Sequence, residues 1–245
     1  MKEVFLKITS NVQVGKDFYK MRLEGDLTEI KNPGEFINIA LPGYYLRRPI
    51  SVSEYSSKHV DIVYKVLGLG TRDMSKYLPG ETLSVLVGLG NGFSLNISKK
   101  PLLIAGGIGI APMFGLAKYF NENNIKPTIL YGAARKEELI LLDELNKLGN
   151  VVVCTDDGSC GYKGNTVSYL NNNSVDYDYY YSCGPLPMLK ALKNFSENGE
   201  LSLEARMGCG FGACMGCSIK TTNGTKRVCK EGPVFSASEV IFDEN

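Results

Sequence analysis

Two periodicities divide most of the chain. Through residue 97 the apolar positions come in short, partly alternating runs: Val4–Ile8, Phe18–Leu23, Glu35–Ile39, Val60–Lys65 and Leu83–Val87. Pro33-Gly34, Pro42-Gly43 and Pro79-Gly80 punctuate them as turns, and many short strands with such turns predict an antiparallel β-barrel. From Pro101 the period changes. Leu102–Ala105 reads as a buried strand and Gly106–Gly109 as a glycine turn. A helix follows, with Met113, Leu116, Ala117 and Phe120 at i, i+3, i+4 and i+7. The unit recurs as strand Thr128–Tyr131 with helix Glu137–Leu148, and as strand Val151–Cys154 with a short helix near Thr166–Leu170. Strand Tyr177–Ser182, helix Leu186–Phe195 and strand Leu201–Glu204 complete the series. Alternating βα units predict an α/β domain with a doubly wound parallel sheet, whose ligands lie at the carboxyl ends of its strands. The expected division is a barrel over 1–97, the α/β domain over 98–199 and a small module over 200–245.

That last module carries the strongest chemical signal. Met207–Val234 places Cys209, Cys214, Cys217 and Cys229 in a C-x4-C-x2-C-x11-C array, with glycines at 208, 210, 212 and 216. Four thiolates are what a [2Fe–2S] cluster needs, and C-x4-C-x2-C with a distant fourth Cys is the plant-type spacing. Glycines let a loop wrap the cluster with its N–H groups turned toward sulfur. Structural zinc favours paired C-x2-4-C knuckles, and only Cys214 and Cys217 form one. Disulfides suit small secreted chains, whereas the cysteine count here is seven, an odd number.

Composition narrows the partners. With 27 basic and 26 acidic residues the net charge is +1, so no global field recruits nucleic acid or anionic lipid. Mean hydropathy is -0.07, and the longest apolar run, Leu102–Met113, is too short to span a bilayer. The charged, strand-like start MKEVFLKITS does not read as an export signal, and unpaired thiols point to a reducing cytoplasm. His59 is the single histidine and falls in a turn. No Ser-His-Asp set, paired-carboxylate motif or H-E-x-x-H accompanies it.

Several motifs await partners. Arg47-Arg48-Pro49-Ile50-Ser51 pairs phosphate-binding guanidinium groups with a hydroxyl beyond a rigid proline; an ordinary solvated strand end is the competing reading. Gly68–Met74 predicts a glycine turn into a short helix with Thr71 as N-cap, and Gly88–Phe93 a loop admitting close backbone approach. Gly107-x-Gly109-x-x-Pro112 is a dinucleotide fingerprint with proline in its third glycine position. Cys183-Gly184-Pro185 ends the fourth strand of the sheet, and Asp156–Ser159 ends the third. Glu204 and Arg206 precede the cysteine loop, where they either anchor it, meet a cofactor or form a surface ion pair.

In this order the motifs resemble the ferredoxin–NADP reductase superfamily from end to end. LRRPISV, VYKVLGLGT, GNGF, CTDDGS, SCGPLPMLKAL, EARMGCGFGACMGC and VCKEGPVF are together similar to the electron-transfer subunits of class 1B dihydroorotate dehydrogenases. The resemblance implies an NADH-linked oxidoreductase of de novo pyrimidine (UMP) biosynthesis, cytoplasmic and without catalytic residues of its own. Arg48, Pro49, Ile50 and Ser51, the strand residues Val63, Tyr64 and Lys65, and Gly70 and Thr71 would hold FAD. Gly107, Gly109, Pro112, Cys183 and Gly184 would serve NAD(H), and the four cysteines would hold the [2Fe–2S] cluster. The implied partner is an FMN-containing catalytic subunit, in a heterotetramer with two copies of each. Ile50 stands where many reductases have an aromatic or Thr. No Lys or Arg pattern for a 2′-phosphate is evident, which favours NADH. Two alternatives remain. One is a related NAD(P)H reductase subunit for a hydrogenase, ferredoxin or glutamate-synthase-like partner; the other is a flavin-free, zinc-binding interaction module.

Overall fold

Six strands close into a barrel in the computed structural model, which describes residues 1–242. They are β1 (Lys2–Gly15), β2 (Phe18–Glu24), β3 (Phe36–Ile39), β4 (Arg48–Tyr55), β5 (His59–Lys65) and β6 (Thr82–Leu89), with helix α1 (Leu69–Met74) between the last two. Around the barrel the order is β1-β2-β5-β4-β3-β6, antiparallel throughout. Alternation turns Leu6, Met21, Ile37, Ile39, Ile62 and Val85 inward, and each buried side chain of this kind contributes roughly 1.5–3 kcal/mol. The sequence pattern missed β4, because RPISVSEY lacks clean alternation. Helix α1 starts earlier than expected: Gly68, in extended conformation, is its N-cap. Thr71 lies within the helix, its Oγ1 accepting the N–H groups of Leu67 at 3.0 Å and Gly68 at 3.2 Å.

One buried ion pair ties β2 to β5. Asp61 is 0% exposed, and its carboxylate accepts Arg22 Nε at 2.6 Å and Nη2 at 2.9 Å, with Lys20 Nζ at 3.2 Å. Burial pushes this carboxyl up, but Arg22 and Lys20 outweigh it and hold the pKa below its ordinary value. The stability it supplies is therefore present above the ordinary carboxylate range and is lost as pH falls through the depressed value. Asp61→Ala removes the carboxylate and leaves two cations that still reach water, with side chains 40% and 26% exposed. Denaturant unfolding near neutral pH is expected to show a loss of about 1–3 kcal/mol.

The second domain alternates β7 (Pro101–Gly106), α2 (Ile110–Glu122), β8 (Thr128–Ala133), α3 (Leu142–Leu148), β9 (Asn150–Thr155), β10 (Tyr162–Lys163), α4 (Thr166–Asn172), β11 (Tyr179–Cys183), α5 (Leu186–Phe195) and β12 (Gly199–Ser202). The sheet order β10-β9-β8-β7-β11-β12 is parallel. The helix expected over Glu137–Leu148 is broken. A short 3-10 turn occupies Lys136–Glu138, and α3 begins only after Leu141, which takes the left-handed conformation at φ 60°. Packing overrides helical pattern here: the Tyr131 hydroxyl accepts the Ile140 N–H at 3.2 Å, and Ile140 and Leu141 both turn into the core.

Helix α2 joins the two domains, since Ile110, Met113, Phe114 and Ala117 share one core cluster with Phe18 and Val63 of the barrel. The C-terminal residues add a hairpin, β13 (Ser218–Thr221) with β14 (Gly224–Arg227), and then β15 (Val234–Ser236). β15 pairs antiparallel with β12 and becomes the edge of the second domain's sheet. No helix among the described residues is long and apolar enough to cross a membrane.

Candidate functional site

Two adjoining cavities open where barrel, sheet and cysteine module meet. The larger, about 830 Å³, lies at the carboxyl ends of β7, β8 and β11 and includes Gly107, Gly184 and Asp156 in its wall. The smaller, about 250 Å³, is bounded on the barrel side by Pro49, Ile50, Ser51, Val63, Tyr64, Lys65 and Thr71. Gly109, Pro112 and Cys183 close it from the α/β side. Residues expected to serve the nucleotide and residues expected to hold the flavin therefore face each other across one space. Lys65, Ile108 and Glu204 belong to both cavities.

Arg48 and Gly70 line neither cavity. The Arg48 guanidinium stacks over the Tyr44 ring at 4.5 Å and lies against Gly70. This puts its charge at the start of α1, beside the cavity wall formed by Thr71. His59 also lies outside both cavities, with Nδ1 2.8 Å from Ser56 Oγ.

Gly109 makes the closest approach. It sits where α2 begins, and a Cβ there would drive into the Cys183 carbonyl and the Gly184 nitrogen. Cys183 is almost fully buried, which pushes its thiol up to about 12, so it packs as a neutral group. Among the described residues, Lys65 is the one cationic side chain in either cavity wall. Its Nζ lies 3.4 Å from Glu138 Oε2 and 5.1 Å from the centre of the Phe18 ring. Glu204 opens onto both cavities and forms no ion pair with Arg206 among the described residues; crowding by surrounding atoms pushes its carboxyl up. Asp157 is occupied locally, accepting the Ser159 N–H at 2.9 Å and hydroxyl at 2.6 Å, while Asp156 faces the larger cavity.

Sequence reasoning missed the walls between motifs: Phe36, Ile108, Glu138, the α4 start at Thr166–Ser168, and Met188. Phe36 occupied an ordinary strand position. The α4 start did carry a signal, because Asn165 caps it by accepting the Ser168 N–H at 2.8 Å.

The four motif cysteines gather in one loop system as two pairs. Cys209 and Cys214 are neighbours toward the surface, while Cys217 and Cys229 are buried. Burial alone would raise the Cys209 thiol. The N–H groups of Phe211, Cys214 and Ala213 and the Cys214 thiol instead bring it down to about 6, the Ala213 nitrogen lying 3.2 Å from sulfur. Burial and then the Cys217 sulfur push Cys229 up to about 12. Such a crowded pair suits a cation that compensates two thiolates. Two pairs fit two irons with two thiolates each.

The fold and these facing cavities define a ferredoxin-reductase-like oxidoreductase that carries an iron–sulfur module. A solved structure reported with insights into flavin-based electron bifurcation in the NADH-dependent reduced ferredoxin-NADP oxidoreductase superimposes with a TM-score of 0.86. It is 27% identical and covers 96% of this chain and 89% of its own. Residues 204–241 match the model of the iron-sulfur cluster binding domain of dihydroorotate dehydrogenase B, and residues 103–194 the oxidoreductase NAD-binding domain. Proteins from Fusobacterium nucleatum (42% identical, covering 96% of this chain and 97% of the relative) and Geobacillus sp. (36%, covering 99% and 100%) are both described as "Dihydroorotate dehydrogenase B (NAD(+)), electron transfer subunit". The chain belongs to this family of dihydroorotate dehydrogenase B electron transfer subunits.

Proposed function

We propose that the chain passes electrons between a dihydroorotate-oxidising catalytic subunit and NAD+, through a [2Fe–2S] cluster and FAD, in de novo pyrimidine (UMP) biosynthesis. The observation that carries this reading is the adjacency of three sites. Gly109, Pro112 and Cys183 face Pro49–Ser51 across the smaller cavity, and Met207 and Pro233, which flank the cysteine array, line the same space. When bound, FAD supplies the exchange between paired-electron hydride transfer and single-electron passage, and the cluster supplies a one-electron exit.

The chain's own residues provide place and charge. Arg48, Pro49, Ile50, Ser51, Val63, Tyr64, Lys65, Gly70 and Thr71 are assigned to FAD. Gly107, Gly109, Pro112, Cys183 and Gly184 are assigned to NAD(H), and Cys209, Cys214, Cys217 and Cys229 to the cluster. The corresponding units are 1–97 for flavin, 98–199 for nucleotide and 200–245 for the cluster. Leu203, 5% exposed, gives the smaller cavity part of its apolar lining. The exposed Phe211, Met215 and Cys214 turn the cysteine loop toward a catalytic partner carrying FMN, in a cytoplasmic heterotetramer with two copies of each subunit.

Co-expression with the catalytic subunit tests the reading. The co-purified complex should form NADH from dihydroorotate and NAD+, while this chain alone should reduce dyes with NADH and leave dihydroorotate untouched. A complex active only with a different reduced substrate would assign the chain to another partner.

Lys65 supports a narrower expectation. Among the described residues it is the single cation in either wall available to a dinucleotide pyrophosphate, and Glu138 holds it. Lys65→Met is expected to raise the Kd for FAD roughly tenfold, the scale of one charge-assisted hydrogen bond. Titration of the flavin-depleted variant with FAD checks it.

A further inference from the structure

We infer that Asn38 is a positioning residue for the cysteine loop, holding its Cys209 end against the barrel strand that pairs with the proposed flavin motif. The inference rests on the reading of the four cysteines as cluster ligands. Strand β3 has two differently used faces. Ile37 and Ile39 belong to the barrel core, whereas Phe36 joins an apolar cluster with Cys217, Cys229 and Phe235. Asn38 is 1% exposed, and its Nδ2 donates to the Cys209 carbonyl at 3.3 Å. Gly210 covers the amide at φ +77°, where a Cβ would run into Nδ2. In strand register Asn38 faces Pro49, with Ile37 opposite Ile50 and Ile39 opposite Arg48. One side chain thus links the first cysteine of the array to the strand beside Arg48–Ser51.

The other end of the amide argues against a filling role. Asn38 Oδ1 is buried without a hydrogen-bond partner among the described residues. Buried acceptors are nearly always paired, and one left over destabilises the fold. A leucine would occupy similar space without that cost. The amide is the worse choice for packing and the only one of the two able to hold the Cys209 carbonyl. The orientation of that peptide sets where the Cys209 sulfur points, and the N–H groups of Phe211, Ala213 and Cys214 converge on the same atom. Outer partners of this kind orient ligands and tune the metal they bind.

The test compares wild type, Asn38→Leu and the near-isosteric Asn38→Asp in the anaerobically purified complex. Three quantities are read: chelator-driven bleaching of the cluster, its midpoint potential by EPR-monitored titration, and the thermal melting temperature. Asn38→Leu is expected to bleach roughly tenfold faster and to shift the midpoint, with no fall in melting temperature. Asn38→Asp places a carboxylate against the Cys209 carbonyl; it should also bleach faster, with the midpoint displaced downward. Wild-type bleaching and potential in both variants would overturn the inference, as would a fall in melting temperature with the cluster unaltered. A wild-type complex lacking acid-labile sulfide would instead overturn the ligand assignment, and this inference with it.

Discussion

Changing Cys229 to serine is expected to strip the cluster from the chain while leaving it able to take up FAD and NADH. Cys229 is 2% exposed and forms the buried pair with Cys217 (3% exposed). A serine hydroxyl does not ionise near neutral pH, so the inner iron would keep one thiolate where it needs two. The cavity walls proposed for flavin and nucleotide are built from other segments, 49–71 and 106–191 in the main. Iron and acid-labile sulfide should fall to background while flavin content is retained. Electron delivery to the catalytic subunit should drop by more than the ~10–100-fold that disturbing an outer partner costs, and NADH-driven reduction of a dye that accepts electrons from flavin should survive. Full cluster content in Cys229→Ser would remove this residue from the ligand set.

The second large effect concerns two glycines of one motif. Gly109→Ala would press its methyl group into the Cys183 carbonyl and the Gly184 nitrogen. Both are backbone atoms at the end of a central strand, and neither swings aside as a flexible side chain would. The start of α2 must therefore move away from β11, which displaces Gly109 and Pro112 relative to Cys183 in the wall of the smaller cavity. A displacement near 1 Å costs about 100-fold in rate when reacting groups must be aligned. Gly107 behaves differently: it has φ +54°, and a Cβ there meets nothing within 4 Å. Within the protein Gly107→Ala adds only backbone strain, of order 1 kcal/mol, and its methyl group would stand in the wall assigned to NAD(H), so its effect falls on nucleotide binding. At saturating NADH, stopped-flow bleaching of flavin should be about 100-fold slower in Gly109→Ala and within a few-fold of wild type in Gly107→Ala. Equal rates in the two variants would contradict the close approach at position 109.

Legibility followed the range of the interactions involved. The cysteine array was readable because its chemistry lies in local spacing, and most barrel strands because proline-glycine turns and alternation mark them locally. What escaped depends on contacts between distant segments. β4 carries Arg48–Ser51, yet its mixed burial comes from facing the cavity with one part and α2 with another, so no alternation survives. The helix expected over Glu137–Leu148 breaks because Tyr131, on a neighbouring strand, takes the Ile140 N–H. β15 follows the cysteine module in sequence but joins the nucleotide-domain sheet beside β12, a pairing no local pattern encodes. The division of the cysteines into a buried and an outer pair likewise depends on Phe36 and Phe235, which pack beside Cys217 and Cys229 in the same apolar cluster.

Anaerobic titration of the purified chain with NADH, followed by absorption and EPR together, bears most directly on the whole account. The expected result is loss of yellow flavin absorbance with the appearance of the signal of a reduced [2Fe–2S] centre. A colourless chain, or a coloured one whose spectra NADH leaves unchanged, would contradict it.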